Sequence, residues 1–142
     1  MNKAIFLDRD GVLNHEIHDY ITKLEDFEVL EYQIPPLKKL FDEGYLLIVI
    51  TNQGGIAQKR YTEETLAEMH KVLAKKFEDQ GALITHAYYC PHHPTVSGDC
   101  ECRKPKSGML LEAIATYNID PALSVMIGDK PRDVEAANGA GV

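Results

Sequence analysis

Short apolar runs alternate with longer amphipathic stretches along this chain, and no other feature of the sequence constrains the fold as strongly. A short apolar run bounded by turn residues predicts a buried strand, and such runs occupy residues 4–7, 46–50, 87–90 and 124–127. Amphipathic helices are predicted over residues 35–44, 62–81, 107–118 and 131–139. Strands and helices that alternate in this way form a parallel sheet covered on both faces. The sequence therefore predicts an α/β fold, a three-layer doubly wound parallel sheet.

Chain length predicts one domain over residues 1–142. Thr62 is a predicted N-cap and Gly81 a predicted helix end, and no linker or internal repeat interrupts the pattern. The sequence ends at Val142, where a further strand would be expected after the last helix. We therefore expect the C-terminal strand of the sheet to be truncated.

Charge and composition argue against several classes of protein. The net charge of −7 argues against a general surface for nucleic acids or anionic membranes. No apolar run approaches the roughly 18 residues that span a bilayer, and the apolar stretch before Asp8 is too short for a secretory signal. Three cysteines, an odd number, argue against a disulfide framework. We expect a cytoplasmic monomer without nucleic-acid or membrane partners.

Polar residues follow each of the predicted strands. Because parallel sheets bind ligands beyond the carboxyl ends of their strands, these residues are expected to meet on one rim of the sheet. They are Asp8 and Asp10, Thr51-Asn52-Gln53, the segment after Cys90, and Gly128-Asp129-Lys130. The sequence therefore predicts a functional site on this rim.

Asp8 and Asp10 follow the first strand, and Gly11 lets the chain turn away beneath them. Two like charges at the end of a buried strand are costly unless a cation or a catalytic role accounts for them. A carboxylate held ionised by a divalent cation can attack phosphorus, and a second carboxyl can donate and then accept a proton. The alternative is a strand-end Asx turn beside a surface acid.

Asp129 adds a third carboxylate after the last strand. Magnesium prefers carboxylates, waters and phosphate oxygens, so the three acids together predict a magnesium site. Asp133 either orients this site or caps the following helix. Taken alone, Gly128-Asp129 also fits an ordinary turn that leads into a helix.

Thr51 follows the most apolar strand and precedes Asn52, Gln53 and two glycines. A hydroxyl and backbone N–H groups at such a turn can hold a phosphate. Lys104, preceded by Arg103, supplies positive charge for a phosphoryl group. Polar turns after strands and surface Arg-Lys pairs are common. These residues therefore indicate a phosphate site only together with the aspartates.

Two closely spaced pairs of metal-ligating residues precede Arg103, namely Cys90 with His92 and Cys100 with Cys102. Three thiolates and one imidazole suit tetrahedral zinc, and four protein ligands leave no open position, so the predicted zinc is structural. Its role would be to fix the 90–102 loop and present Arg103 and Lys104 rigidly. His93 is the alternative fourth ligand, and three unconnected free thiols are the alternative to a metal site.

Together these motifs resemble the haloacid dehalogenase superfamily, over nearly the whole chain and in the family's order. They are Asp8-Arg9-Asp10-Gly11, Thr51-Asn52-Gln53, Cys90-Pro91-His92-His93-Pro94, Cys100-Glu101-Cys102-Arg103-Lys104-Pro105 and Gly128-Asp129-Lys130. Within the superfamily, the chain resembles the zinc-loop branch that holds D-glycero-D-manno-heptose 1,7-bisphosphate 7-phosphatases and histidinol phosphatases. The zinc loop joined to Arg-Lys-Pro is the most specific of these motifs.

The resemblance implies a Rossmann-like fold without a large cap domain, and a role for each motif. Asp8 would be the nucleophile and Asp10 the general acid and base, while Thr51 and Lys104 would stabilise the phosphoryl group. Magnesium would be held by Asp8, the Asp10 carbonyl and Asp129. The implied substrate-binding residues are Glu16, Asp19, Tyr20, Asn52, Gln53, Gly54, Arg103 and Lys130.

The resemblance predicts a magnesium-dependent phosphatase that acts on a small phosphorylated sugar through an aspartyl-phosphate. Heptose 1,7-bisphosphate is the leading substrate, because of the Cys-Pro-His-His-Pro motif, the Gln53-Gly54 turn and the loop before Cys100. Histidinol phosphate is the alternative. Two alternatives come from other classes: a phospho-accepting receiver, which would need an aspartate where this sequence has Thr51, and a zinc-stapled binding module without catalytic activity. The anomer, the pathway and the physiological substrate stay open at this point.

Overall fold

The computed structural model describes residues 1–142 and contains one sheet of four parallel strands. The strands are β1 (Lys3–Leu7), β2 (Tyr45–Asn52), β3 (Ile84–Cys90) and β4 (Val125–Ile127), in the order β3-β2-β1-β4 across the sheet. The helices are α1 (Ile34–Asp42), α2 (Glu63–Asp79), α3 (Gly108–Thr116) and α4 (Pro131–Gly139). Short 3₁₀ turns lie at Leu24–Asp26, Glu31–Gln33 and Pro121–Leu123. The predicted doubly wound α/β fold is confirmed, with β2 and β3 longer than expected.

The side chains of the two central strands alternate between the faces of the sheet, which gives the protein two apolar cores. The first core receives Ile5, Leu7, Leu47 and Val49, and the second receives Ala4, Phe6, Ile48 and Ile50. All of these side chains are buried. Because both faces are covered, β1 and the centre of β2 are continuously apolar.

Helices α1 and α2 cover the first core, and α3 and α4 cover the second. Thr62 caps α2 as predicted, because its Oγ1 accepts a hydrogen bond from the Thr65 backbone N–H at 3.2 Å. The buried face of α2 consists of residues spaced three or four positions apart, Leu66, Met69, Leu73 and Phe77.

No helix of the chain is both long enough and apolar enough to cross a lipid bilayer.

β4 is more exposed than its apolar sequence predicts. It pairs with β1 on one side and has no strand on the other. Val125 and Ile127 are 47% and 38% exposed, whereas Met126 packs against the second core. The exposure follows from the position of β4 at the edge of the sheet, where one side of the strand has no neighbour.

The strand order places the carboxyl end of β1 near the centre of the rim. From β1 the chain continues to β2 on one side, and it later returns to β4 on the other side of β1. Ligands of doubly wound sheets bind in the crevice at such a reversal of strand order. Cys90, the last residue of β3, pairs with Asn52 at the end of β2 and so lies beside this crevice.

Leu110 and Leu111 are neighbours on α3 and provide a matched test of this packing. Leu110 is fully buried in the second core, whereas Leu111 is 52% exposed. We expect Leu110→Ala to lower the free energy of unfolding by about 2–5 kcal/mol, because it removes buried methyl groups and leaves a cavity. Leu111→Ala should change it by about 0.5 kcal/mol or less. Urea titration followed by circular dichroism measures both, and equal losses would contradict the faces assigned to α3.

Candidate active site

A cavity of about 330 Å³ opens at the carboxyl ends of β1 and β2, a volume typical of small-molecule sites. His18 and Arg132 line it although the sequence did not predict them. Gln53 and Lys104 are buried behind the lining and contact it through hydrogen bonds. The predicted site residues that line the cavity are Asp8, Asp10, Glu16, Asp19, Tyr20, Thr51, Asn52, Gly54, Arg103 and Lys130.

The carboxylate of Asp8, directly after β1, is held through one oxygen. Oδ1 accepts hydrogen bonds from the Arg9 backbone N–H and from Lys104 Nζ, both at 2.9 Å. Oδ2 accepts no hydrogen bond from the protein. Burial raises the pKa of Asp8 against the opposing charge of Lys104, and the nearby Asp133 carboxylate adds to the rise. One oxygen of Asp8 is therefore fixed, and the other is left for a ligand.

Lys104 reaches Asp8 from the loop that follows β3, and it is only 2% exposed. Its ammonium donates hydrogen bonds to Asp8 Oδ1 at 2.9 Å, to Asp133 Oδ1 at 2.6 Å and to the Ile50 carbonyl oxygen at 2.8 Å. These three bonds use every donor that an ammonium has. Lys104 is therefore a fixed positive charge between two buried carboxylates.

Asp133 fulfils both alternatives that the sequence left open. Its Oδ1 accepts from Lys104, and its Oδ2 accepts the Lys130 backbone N–H at 3.1 Å, which caps the first turn of α4. The side chain is completely buried. Asp133 therefore joins the start of α4 to the charge that holds Asp8.

Asp10 has both of its oxygens engaged, unlike Asp8. Oδ1 accepts from Arg9 Nη2 at 2.8 Å and from Asn14 Nδ2 at 2.9 Å, and Oδ2 accepts from Gln53 Nε2 at 3.1 Å. Burial alone would raise the pKa of Asp10, but the charge of Arg9 and these hydrogen bonds outweigh burial and lower it. Asp10 is therefore ionised in the free protein at neutral pH.

Arg9 is a functional residue that our sequence reasoning missed. It is completely buried, pairs with Asp10, and stacks at 5.0 Å from the centre of the Phe27 ring. Nε2 of His70 lies 3.4 Å from Arg9 Nη1, and burial together with the Arg9 charge lowers the pKa of His70 to about 3. The sequence did contain a sign of this role. Arg9 stands between Asp8 and Asp10, and a cation between two aspartates can neutralise one of them.

Gln53 connects Asp10 to Thr51. Its Nε2 donates to Thr51 Oγ1 at 2.9 Å as well as to Asp10, and its Oε1 accepts from the Tyr61 hydroxyl. The Asp10 contact fixes which end of the amide faces the site, because an ionised carboxylate only accepts hydrogen bonds. Because Thr51 Oγ1 accepts from Gln53 and its nearest acceptor is the Asn52 carbonyl oxygen at 3.5 Å, its proton is available to a ligand in the cavity.

Asp129 lies close enough to Asp8 to share a cation with it. Carboxylate oxygens of Asp8, Asp129 and Asp133 all lie within 4.8 Å of one another. Gly11 permits this approach, because it adopts φ +88° and a Cβ there would lie 2.6 Å from Asp129 Oδ2. Both oxygens of Asp133 already accept hydrogen bonds, which leaves Asp8 and Asp129 as the available carboxylates. This donor set fits magnesium, which takes one or two carboxylates together with waters and phosphate oxygens.

The predicted zinc ligands come together in the loop after β3, where Cys90, His92, Cys100 and Cys102 each place a donor atom within 4.8 Å of the others. Cys100 Sγ lies 3.6 Å from Cys90 Sγ and 3.7 Å from Cys102 Sγ. These two distances match the edge of about 3.7 Å expected for tetrahedral zinc with Zn–S bonds of about 2.3 Å, whereas Cys90 Sγ and Cys102 Sγ lie closer together, at 2.6 Å. His93 does not join the cluster, since its Nδ1 accepts the Thr95 backbone N–H. The thiols are free of disulfides, so the donor set fits a structural zinc.

The loop that carries the Cys/His cluster is attached to the end of β2 by paired hydrogen bonds. Asn52 Nδ2 donates to the Lys104 carbonyl oxygen at 3.1 Å, and Asn52 Oδ1 accepts the Lys104 backbone N–H at 2.9 Å. Arg103 Nη1 donates to the His92 carbonyl oxygen at 3.1 Å. A Cβ at Gly54 would lie 2.9 Å from Arg103 Nη1, so the absence of a side chain there lets the guanidinium reach the cavity. Arg103 and Lys104 are thereby held in place.

The segment from residue 16 to residue 20 forms another wall of the cavity. Arg60 binds the Asp19 carboxylate through Nη1 at 2.6 Å and Nη2 at 2.9 Å. The hydrogen bonds from Arg60 lower the pKa of Asp19 to about 2. The Tyr20 ring lies 6.2 Å from the Tyr61 ring, and Glu16 Oε1 accepts the His18 backbone N–H at 2.8 Å. Arg60 thus holds in place the wall that contains the predicted residues Glu16, Asp19 and Tyr20.

Comparison with known proteins gives a consistent family. A family model described as "HAD-hyrolase-like" matches residues 101–142. The chain is 46% identical to the D-glycero-beta-D-manno-heptose-1,7-bisphosphate 7-phosphatase of Haemophilus ducreyi, over 99% of this chain and 79% of that protein. It is 41% identical to a D-glycero-alpha-D-manno-heptose-1,7-bisphosphate 7-phosphatase of Photorhabdus laumondii, over 99% of this chain and 79% of that protein.

A solved structure supports the same assignment. The D,D-heptose 1.7-bisphosphate phosphatase of B. bronchiseptica, complexed with magnesium and phosphate, superposes with a TM-score of 0.90. It is 30% identical to this chain, and the match covers 98% of this chain and 76% of the other. The resemblance found in the motifs is therefore confirmed. The chain belongs to the haloacid dehalogenase superfamily of hydrolases, in the family of the D-glycero-D-manno-heptose 1,7-bisphosphate 7-phosphatases.

Proposed function

We propose that this protein hydrolyses the 7-phosphate of D-glycero-D-manno-heptose 1,7-bisphosphate through an aspartyl-phosphate on Asp8. The observation that carries the proposal is the asymmetry of Asp8, whose Oδ1 is bound by Lys104 while Oδ2 has no partner in the protein. Relatives that are 46% and 44% identical to this chain over the aligned residues are named for that substrate. Chemistry and family point to the same reaction.

In the first step, Asp8 Oδ2 attacks the phosphorus of the 7-phosphate, a P–O bond to Asp8 forms, and the bond to the sugar oxygen breaks. Lys104 and the Thr51 hydroxyl stabilise the negative charge of the transferring group. The departing sugar oxygen takes a proton from Asp10. Asp10 is ionised in the free protein, so it takes up this proton from solvent when the phosphate arrives, because a nearby like charge favours the neutral carboxyl.

In the second step, water breaks the aspartyl-phosphate. Asp10, ionised once it has donated its proton, takes a proton from the attacking water. The P–O bond to Asp8 breaks, which releases inorganic phosphate and restores the Asp8 carboxylate. Arg9, Asn14 and Gln53 hold Asp10 in one orientation, so the same carboxyl serves as acid and then as base.

Two metals complete the proposal. Asp8 and Asp129, with the Asp10 carbonyl, would hold magnesium, which neutralises phosphate charge when bound. Cys90, His92, Cys100 and Cys102 would hold a structural zinc that keeps the loop bearing Arg103 and Lys104 in place. The single domain, the monomeric state and the cytoplasmic location stay predictions.

Substrate choice is tested by comparing kcat/KM on the α- and β-anomers of heptose 1,7-bisphosphate with kcat/KM on histidinol phosphate. We expect the better heptose anomer to be preferred over histidinol phosphate by about tenfold or more, which needs only about 1.4 kcal/mol of differential transition-state binding. A preference for histidinol phosphate would contradict the proposed substrate but leave the phosphatase chemistry intact. No phosphate release from any ester by the metal-loaded protein would favour a binding module.

Asp8→Asn tests the nucleophile. The amide retains the shape of the side chain but cannot form the aspartyl-phosphate, so we expect kcat to fall on the order of a thousandfold or more. Fluoroberyllate should form an adduct on the wild-type protein that mass spectrometry or crystallography detects, and none on the variant. Full magnesium-dependent turnover by Asp8→Asn would refute the mechanism.

His92 and His93 provide a matched test of the zinc site, since only His92 lies among the thiols. We expect about one zinc per chain by elemental analysis in the wild type and in His93→Ala, and a large loss of zinc in His92→Ala, because structural zinc needs four protein ligands. Removal of zinc by a chelator should lower Tm and weaken activity, because the loop that carries Lys104 loses its anchor. Equal zinc content in the two variants would contradict the assigned ligands.

A further inference from the structure

The carboxylates of the cavity lining are largely compensated within the protein. Glu16 accepts a backbone N–H from His18, and the other acids form ion pairs. The pairs are Asp8 with Lys104, Asp10 with Arg9, and Asp19 with Arg60. Asp10 and Asp19 therefore each have a cation of their own, whereas Asp8 shares Lys104 with Asp133 and stays open to a metal ion.

The cations of the same lining differ in their partners. Lys130 forms an ion pair with Asp129, with Nζ 3.7 Å from Oδ2, and Arg103 donates to the His92 carbonyl oxygen. Arg132 lines the cavity and is exposed, and it forms neither an ion pair nor a side-chain hydrogen bond with the protein. Arg132 is therefore the lining cation that is left without a partner.

Arg132 also lies at a position that does not favour a cation. It is the second residue of α4, where the helix dipole stabilises negative charge and disfavours positive charge. The whole protein has a net charge of −7, so its overall field does not attract an anionic substrate. Arg132 is exposed and unpaired at a position that the helix dipole does not favour for a cation, so its guanidinium is open to an anionic ligand.

The proposed substrate carries two phosphates, and the residues around Asp8 serve only the one that is cleaved. The other phosphate requires cations of its own elsewhere in the cavity. A guanidinium binds phosphate through two parallel N–H donors, a geometry that lysine lacks. Arg132 supplies such a group from α4. It lines the same cavity as Arg103, which comes from the segment after β3.

We propose that Arg132 is a specificity-determining residue that binds the phosphate that is not hydrolysed, and so selects bisphosphates over monophosphates. The inference rests on the proposed function and deepens it. The inference concerns recognition of the substrate and not the chemical step. A substitution of Arg132 should therefore change mainly KM.

The test compares D-glycero-D-manno-heptose 1,7-bisphosphate with the 7-monophosphate, which lacks the second phosphate. We expect Arg132→Met to lower the ratio of kcat/KM for the bisphosphate to that for the monophosphate by about tenfold, chiefly through a higher KM for the bisphosphate. Arg132→Lys should retain part of the ratio. Lys39→Met removes the same charge from an exposed site on α1, outside the cavity, and should leave the ratio unchanged. An unchanged ratio in Arg132→Met, or the same loss in Lys39→Met, overturns the proposal.

A binding measurement separates this inference from the proposed function. Calorimetry on Asp8→Asn, with and without Arg132→Met, gives Kd for both heptose phosphates in the absence of turnover. We expect the bisphosphate to bind more tightly than the monophosphate, and Arg132→Met to remove most of that difference. If the wild type hydrolyses neither ester yet this pattern holds, the proposed function fails and the inference stands. If Asp8→Asn shows no preference for the bisphosphate, the inference fails whatever the activity.

Discussion

The buried ammonium of Lys104 is the interaction on which the rest of the site depends. It lies between the carboxylates of Asp8 and Asp133 and also binds the Ile50 carbonyl oxygen, so all its donors are used. Burial of the two carboxylates without a cation would be very costly, since desolvation strongly disfavours unpaired charges. Through one side chain, the end of β1, the end of β2 and the start of α4 are held at fixed distances.

The dependence on Lys104 gives a reason for the Cys/His cluster, which could hold a metal ion, to lie in the same loop beside the cavity. Lys104 comes from an irregular segment that has no strand or helix to position it. The Cys/His cluster on one side and the Asn52 clamp on the other restrict this segment. Precise placement of a catalytic cation requires such support, because a reactive group displaced by a fraction of an ångström loses much of its effect.

The two aspartates of the site are separated chemically by their partners. Asp8 is bound through one oxygen and has the other free, whereas both oxygens of Asp10 are engaged by Arg9, Asn14 and Gln53. Burial is the largest effect on Asp8 and raises its pKa. At Asp10, the charge of Arg9 and the hydrogen bonds outweigh burial and lower the pKa. Asp8 thus keeps one oxygen open to a ligand, whereas Asp10 is held in one orientation.

The sequence by itself determined the α/β fold, because strand and helix periodicities are local properties of the chain. It also determined the chemical character of the rim, since residues that follow parallel strands must meet there, and it paired His92 with the thiols by spacing. Only the tertiary structure decided which charges compensate one another. The pairing of Lys104 with Asp133, the role of buried Arg9 and the arrival of Arg132 at the cavity depend on contacts between distant segments. Such contacts follow from how layers pack, and no local pattern encodes them.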